Sequence, residues 1–181
     1  VRIWDLATDR QLVKISAHDG MAYQVAFSPD GSVIASCGEE PVIRLWRVVD
    51  GGALGMLNAH EEDLETIAIS SDGVLAAGDR QSLVSAWKLS QKTEDAPILR
   101  YQPQARWTAV SSLAFAPNGM LAIGTVDGHL TIMAADGQAI VYRRRLANGI
   151  QSLAIAPDSK WLVVGDRAGY IQIIPFEDGM W

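Results

Sequence analysis

An all-β fold built from copies of one small antiparallel sheet is what the sequence predicts, and three observations predict it. First, the segment Gln24-Val-Ala-Phe-Ser-Pro-Asp-Gly31 returns as Thr66-Ile-Ala-Ile-Ser-Ser-Asp-Gly73, as Ser112-Leu-Ala-Phe-Ala-Pro-Asn-Gly119 and as Ser152-Leu-Ala-Ile-Ala-Pro-Asp-Ser159. Second, Val1-Arg-Ile-Trp-Asp-Leu6 runs in step with it as Val42-Ile-Arg-Leu-Trp-Arg-Val48, Leu83-Val-Ser-Ala-Trp-Lys-Leu89, Leu130-Thr-Ile-Met133 and Tyr170-Ile-Gln-Ile-Ile174. Both keep a period of roughly 40–46 residues. Third, no stretch carries a 3.6-residue apolar period, whereas short apolar runs broken by turn residues recur throughout.

Element by element, two strands come first, over 1–6 and 11–16. The first full unit then reads as strands over 22–28, 32–37, 42–48 and 53–58. Pro29-Asp-Gly31 is a turn by chemistry: Pro fixes φ, Asp bonds its own backbone and Gly accepts positive φ. The second unit reads 64–70, 74–78, 83–88 and 97–101, and its polar 90–97 segment is a loop that absorbs the longer spacing. The third reads 110–116, 120–124, 130–134 and 139–144; the fourth reads 150–156, 161–165 and 170–175. A sheet of this size cannot bury both faces alone, but sheets stacked around an axis bury each other, which is the logic of a β-propeller. The near-continuous apolar runs Val33-Ile-Ala, Leu121-Ala-Ile and Trp161-Leu-Val-Val then read as middle strands covered on both faces.

Composition excludes several classes. With 181 residues, 49% hydrophobic and 20% charged, the chain has material for a core and is not a disordered tail. A formal charge of −6 argues against sequence-independent nucleic-acid binding. No apolar run approaches the ~20 residues that span a bilayer. Cys37 is the lone cysteine, so there is no disulfide framework, and a reducing cytoplasm is the expected location. The chain starts at Val1 directly in a strand-like run, so its natural N-terminus is expected to be missing.

The period, Trp4-Asp5, and Ala17-His18 and Ala59-His60 ahead of core strands resemble the WD-repeat β-propeller family over essentially the whole chain. The resemblance implies four-stranded antiparallel blades. About four are present, in pieces 1–17, 18–59, 60–105, 106–146 and 147–181. Seventeen strands do not close into whole blades, because both chain ends supply the same third strand. The residues are therefore expected to be part of a larger, seven-bladed propeller whose remaining blades are partners of this piece.

The resemblance also implies a polar relay within each blade: His, Ser or Thr, an acidic turn residue and Trp. Its places fall on His18, Ser36, Glu40 and Trp46 in the first unit, and on His60, Ala77, Gln81 and Trp87 in the second. They fall on Arg106, Ile123, Asp127 and Met133 in the third, and on Leu146, Val164, Ala168 and Ile174 in the fourth. Polar members drop out together, since a half-satisfied buried network costs more than none. The first unit is expected to hold the only near-complete relay.

Catalytic and metal chemistry find no support. No zinc spacing, nucleophile elbow, Walker loop or dinucleotide-binding glycine motif occurs. His129 reads as an exposed loop residue. The positions that open the inner strands, Ala22, Leu64, Val110 and Ile150, are apolar. No cofactor, metal, catalytic residue, nucleic acid or membrane is expected, and the chain is expected not to be an enzyme.

Partner binding is the remaining class. In the resembled family the loops leading into inner strands form a rim where partners dock. Met21, Glu39, Asp63, Arg80, Arg106, Trp107 and Arg167 fall on it. Arg80 and Arg167 stand in matching Gly-Asp-Arg triplets, and Arg is a favoured hot-spot type. Trp107 is either an exposed anchor or packs on a neighbouring blade. The carboxylates Asp19, Glu61, Glu62, Asp63 and Glu65 are either a solvated loop or a patch that steers basic ligands. Arg143-Arg-Arg145 lies on an outermost strand and guards that edge against pairing. The expected function is a non-catalytic scaffold that binds a protein or peptide partner on the rim. The alternatives are a sensor or regulatory propeller domain of a larger signalling or redox protein, and a propeller enzyme such as a lactonase-like hydrolase or a quinoprotein.

Overall fold

A computed structural model describes residues 1–58, 60–89, 96–102 and 108–176. They form seventeen strands and no helix. A leading pair, β1 (Arg2–Asp5) and β2 (Arg10–Lys14), is followed by blade 1: β3 (Ala22–Phe27), β4 (Val33–Gly38), β5 (Glu40–Arg47) and β6 (Ala53–Asn58). Blade 2 holds β7 (Leu64–Ile69), β8 (Val74–Asp79), β9 (Val84–Lys88) and β10 (Leu99–Tyr101). Blade 3 holds β11 (Val110–Phe115), β12 (Leu121–Thr125), β13 (His129–Met133) and β14 (Ile140–Arg145). Blade 4 holds β15 (Ile150–Ile155), β16 (Trp161–Asp166) and β17 (Ile171–Pro175). Each sheet is an antiparallel meander in chain order, and β3, β7, β11 and β15 neighbour one another in series as inner strands.

The repeated turn explains the repeated hairpin. Gly31, Gly73 and Gly119 sit at φ 70°, 81° and 89°, and Ser159 occupies the fourth such place at φ 55°. Registers match as well: Ala26 faces Ala35, Ala68 faces Ala76, Ala114 faces Ala122 and Ala154 faces Val163. That constancy puts the same places of the template on the same face of every blade.

The core lies between blades, not within them. Ala35, Ile43, Leu45 and Leu57 of blade 1 meet Leu64, Ile67, Leu75, Ala77 and Trp87 of blade 2. Ala76, Val84 and Ala86 of blade 2 meet Val110, Leu113, Leu121, Ile123 and Met133 of blade 3. Ala122, Leu130 and Ile132 of blade 3 meet Ile150, Leu162 and Val164 of blade 4. Fully burying side chains of this size contributes about 1.5–3 kcal/mol each, so the joints between blades carry the stability. Two glycines set how close the blades come: a Cβ on Gly78 would stand 2.5 Å from Val110, and one on Gly124 would stand 2.6 Å from Ile150. Polar stitches follow the same template, with Gln24 accepting from the Ile67 amide at 3.1 Å and Ser112 from the Leu153 amide at 3.0 Å.

Strands β4, β8 and β12 are buried on both faces, as expected of middle strands. The expectation fails for β16, which is covered on one face and leaves Trp161 exposed. The leading pair corrects a second expectation. Trp46 and Trp87 are buried, whereas Trp4, at the equivalent place, is 49% exposed because no described blade stands behind it.

Candidate functional site

In blade 1, Trp46, Ser36, His18 and Glu40 form one hydrogen-bonded chain. The Trp46 indole donates to Ser36 Oγ at 2.9 Å, and Ser36 Oγ stands 2.9 Å from His18 Nε2. His18 Nδ1 lies 3.3 Å from Glu40. With Ser36 accepting from Trp46 and donating to His18, the Nδ1 hydrogen is left for Glu40. Arg44 extends the chain, donating to Glu40 through Nε at 2.9 Å and Nη2 at 2.7 Å. Burial acts to raise the Glu40 carboxyl, but Arg44, the Asp19 amide and His18 outweigh it and hold it below its ordinary value.

Blade 2 departs from the expected slots. His60 Nδ1 pairs with Asp79 Oδ2 at 2.8 Å, while Gln81 turns to Glu62 at 2.6 Å. Asp79 ends β8 and also accepts from the amides of Gln81 and Leu83, both at 2.8 Å. The turn therefore fixes the carboxylate within reach of the imidazole. The Trp87 ring stacks obliquely on His60, with centroids 6.2 Å apart. Ala77 fills the Ser place, and His60 Nε2 is buried without a partner among the described residues.

Asp127 in blade 3 makes a local arrangement instead of a relay. It accepts from Thr125 Oγ1 at 2.6 Å and lies 2.9 Å from His129 Nδ1. His129 is thus half-buried at the start of β13 and not a free loop residue. Burial acts to raise Asp127, yet Thr125, His129 and Thr108 together bring it down to about 2. In blade 4 Asp166 repeats the turn of Asp79, accepting from Ala168, Tyr170 and the side chain of Asn148.

The rim candidates divide into two groups. Met21, Glu39, Asp63 and Arg80 belong to one network across blades 1 and 2. Glu39 accepts from the Met21 amide at 3.1 Å and from the Tyr23 hydroxyl at 3.1 Å. Tyr23 in turn accepts from Arg80 Nη2 at 2.9 Å, beneath a guanidinium 5.7 Å from its ring centre. Arg80 also binds Asp63 at 3.0 Å and Glu65. Glu65 is the first cause that lifts the guanidinium above its ordinary range. Tyr23 is absent from the rim candidates of the sequence, because its place in β3 reads as an ordinary strand residue.

Arg167 holds the same template place as Arg80 in blade 4, yet it is exposed and forms no salt bridge among the described residues. Met21 is likewise exposed. Arg106 and Trp107 lie outside the described residues. Leu64, Val110 and Ile150 are buried in the joints between blades. The described residues contain no group of three or more His, Cys, Asp or Glu able to hold a metal ion, and no helix long and apolar enough to cross a membrane. Cys37 is buried, and burial pushes its thiol up to about 12.

Residues 9–47 match the model of the WD domain, G-beta repeat. The chain is 22% identical to the transcription factor unc-37 of Caenorhabditis elegans over 165 residues, which is 90% of this chain and 26% of that protein. It is 27% identical to protein groucho of Drosophila melanogaster over 165 residues, 89% of this chain and 22% of that one. It thus spans about a quarter of the length of these curated relatives. The fold matches two computationally designed proteins. One is Ika4, with TM-score 0.77 and 16% identity, over 93% of this chain and 99% of the other. The other is Ika8, with TM-score 0.79 and 17% identity, over 97% of this chain and 52% of the other. Residues 9–47 thus carry the repeat that the model describes, and the blades that follow keep the same template, so the chain is similar to WD-repeat β-propeller proteins.

Proposed function

We propose that the chain is a non-catalytic scaffold that binds a protein or peptide partner on the rim of its blades. The observation that carries this reading is the contrast between two equivalent arginines. Arg80 is held by Tyr23, Asp63 and Glu65, whereas the Arg167 side chain is exposed and forms no salt bridge among the described residues. Loops held between packed sheets have already lost their conformational freedom, so less is lost when a partner docks. Met21 offers an exposed apolar contact, and Glu39, Asp63 and Glu65 give its surroundings an acidic character that steers basic groups. Arg106 and Trp107 complete the proposed rim. A cytoplasmic location is part of the same reading, in keeping with the free, buried Cys37 thiol.

The test is capture of partners by the immobilised chain, compared with Met21→Ala and Arg167→Glu. Both variants should lose partner signal at least tenfold with the thermal midpoint held within about 2 °C, since surface changes cost little stability. Unchanged capture by both variants would remove the rim from the argument.

A further inference from the structure

The outer strand of blade 3 joins an open backbone edge to a run of cations. Among the described residues β14 pairs with β13 alone and ends its sheet. The Leu146 amide donates to the Gly128 carbonyl at 2.8 Å, in step with a register that sets Leu130 opposite Arg144 and Ile132 opposite Tyr142. Directly opposed residues of an antiparallel pair alternate between bonded and unbonded. Arg143 and Arg145 fall at the unbonded places, so their N–H and C=O groups turn away from β13. Side chains alternate too. Arg143 and Arg145 share one face with Thr131 and His129, and Arg144 shares the other with Leu130.

All three arginines are exposed, and among the described residues none forms a salt bridge, whereas Arg44, Arg47 and Arg80 each do. Arg143 is held by a neutral group instead. Its Nη2 donates to the Tyr101 hydroxyl at 2.9 Å, across the joint from blade 2, which positions the guanidinium without neutralising it. Charge on an edge strand keeps other strands from pairing with it. The fold does not demand that charge at this place: β6, the outer strand of blade 1, is also six residues long and carries no charged side chain.

We propose that β14 is a docking edge for an extended acidic segment of a partner protein, which adds to the four-stranded sheet of blade 3 as one more strand. The segment's backbone bonds the outward groups of Arg143 and Arg145, and its carboxylates take charge-assisted bonds from the arginines beside them. The same charges turn away neutral and basic strands, so repulsion and attraction together set the choice of partner. Three features favour a peptide over a nucleic acid or an anionic membrane. The arginines are divided between two faces of one strand and do not spread over a single surface. Asp136, in the β13–β14 turn, and Asp127, ahead of β13, place carboxylates at both ends of the hairpin and oppose a longer polyanion. The chain as a whole carries a formal charge of −6. β14 is neither a rim loop nor an end of the chain, so the edge exists whatever binds the rim.

The test is the fluorescence anisotropy of a labelled peptide of about nine residues, alternating Thr and Glu, titrated with the intact protein. It should bind about tenfold more tightly than the same peptide with Gln for Glu. Binding should weaken about tenfold with Arg144→Glu, which leaves the Tyr101 contact in place, and with the triple variant Arg143→Gln/Arg144→Gln/Arg145→Gln. Both variants should keep the wild-type melting profile, because the altered side chains are exposed. Residue-level hydrogen exchange on the wild type should slow at the Arg143 and Arg145 amides when the Glu peptide is added, and stay unchanged at Arg144, whose amide already lies in the ladder. N-methylation of one alternate set of peptide amides should abolish binding, and methylation of the other set should not. Four outcomes overturn the proposal: equal affinity for the Glu and Gln peptides; wild-type affinity in both variants; unchanged exchange at Arg143 and Arg145; and displacement of the peptide by single-stranded DNA or phosphatidylserine vesicles at lower concentration than by unlabelled peptide, which would mark a polyanion site.

Discussion

Blades 1 and 2 are neighbours on one template and differ at the serine place by one hydroxyl and at the acidic place by its position in the turn. In blade 1, Ser36 binds the Trp46 indole on one side and His18 on the other. In blade 2, Ala77 takes its place and the Trp87 and His60 rings meet only obliquely. The second blade keeps a shorter acid–imidazole contact, 2.8 Å against 3.3 Å, with a side chain from a different turn position. The comparison teaches that the serine is the hub of this relay. With it, both rings are bonded; without it, the acid end can be rebuilt but His60 Nε2 stays buried and unpaired among the described residues.

The largest expected break in that comparison is Trp46→Ala. It removes both the indole that Ser36 receives and the ring packed on Ile3 and Ile34, and should cost about 3–5 kcal/mol in urea unfolding. A loss under about 1 kcal/mol would mean the ring contributes no core. Ser36→Ala turns blade 1 into a copy of blade 2 at this place. It strands the Trp46 Nε1 and His18 Nε2 groups and should cost about 1–3 kcal/mol. Equal stability of this variant and the wild type would show that the relay is ornamental.

The fold was legible in the sequence because each blade repeats both turn chemistry and apolar register. Ser159 shows how robust that reading is, since it adopts the positive φ that three glycines hold in the other units. The site was legible where one residue type answers one role, as with His18, Ser36 and Trp46. It was misread where counting along the chain replaced geometry. Gln81 sits the same number of residues after Ala77 as Glu40 does after Ser36, but Asp79 closes the turn and reaches His60 first. The signal for this is the twin Gly78-Asp79 and Gly165-Asp166 pairs, whose carboxylates both accept from the amides of the turn that follows. Exposure at the ends was illegible, because Trp4, Val25 and Ile173 read as core residues and become surface only where no described blade covers them.

Ala77→Ser converts blade 2 toward blade 1. A hydroxyl placed there can donate to His60 Nε2, and the expected gain is about 0.5–1.5 kcal/mol. Ala77 is fully buried among Leu64, Leu75 and Trp87, so the opposing effect is crowding by one added atom. A loss of stability would show that blade 2 has closed around the missing hydroxyl, and the comparison would then be one of two packings and not of one bond.

The smallest effect concerns Asp127, which keeps an acidic place in blade 3 without a relay. Its folded value is about 2, below the ordinary 3.8 of an aspartate, so the stability it contributes is present above about pH 4 and is lost as pH falls toward 2. Asp127→Asn should remove this part of the acid limb and flatten the melting temperature between pH 4 and pH 2, while costing on the order of 1 kcal/mol at neutral pH through the weakened Thr125 and His129 contacts. Glu40 gives the control, since its carboxyl is also depressed but is bound into a relay. Glu40→Gln should flatten the same limb and in addition loosen His18, visible as a change in the imidazole proton resonances that the Asp127 variant leaves untouched. If both variants behave alike in the His18 signals, the acidic place matters only as a charge, and what separates the blades is the serine alone.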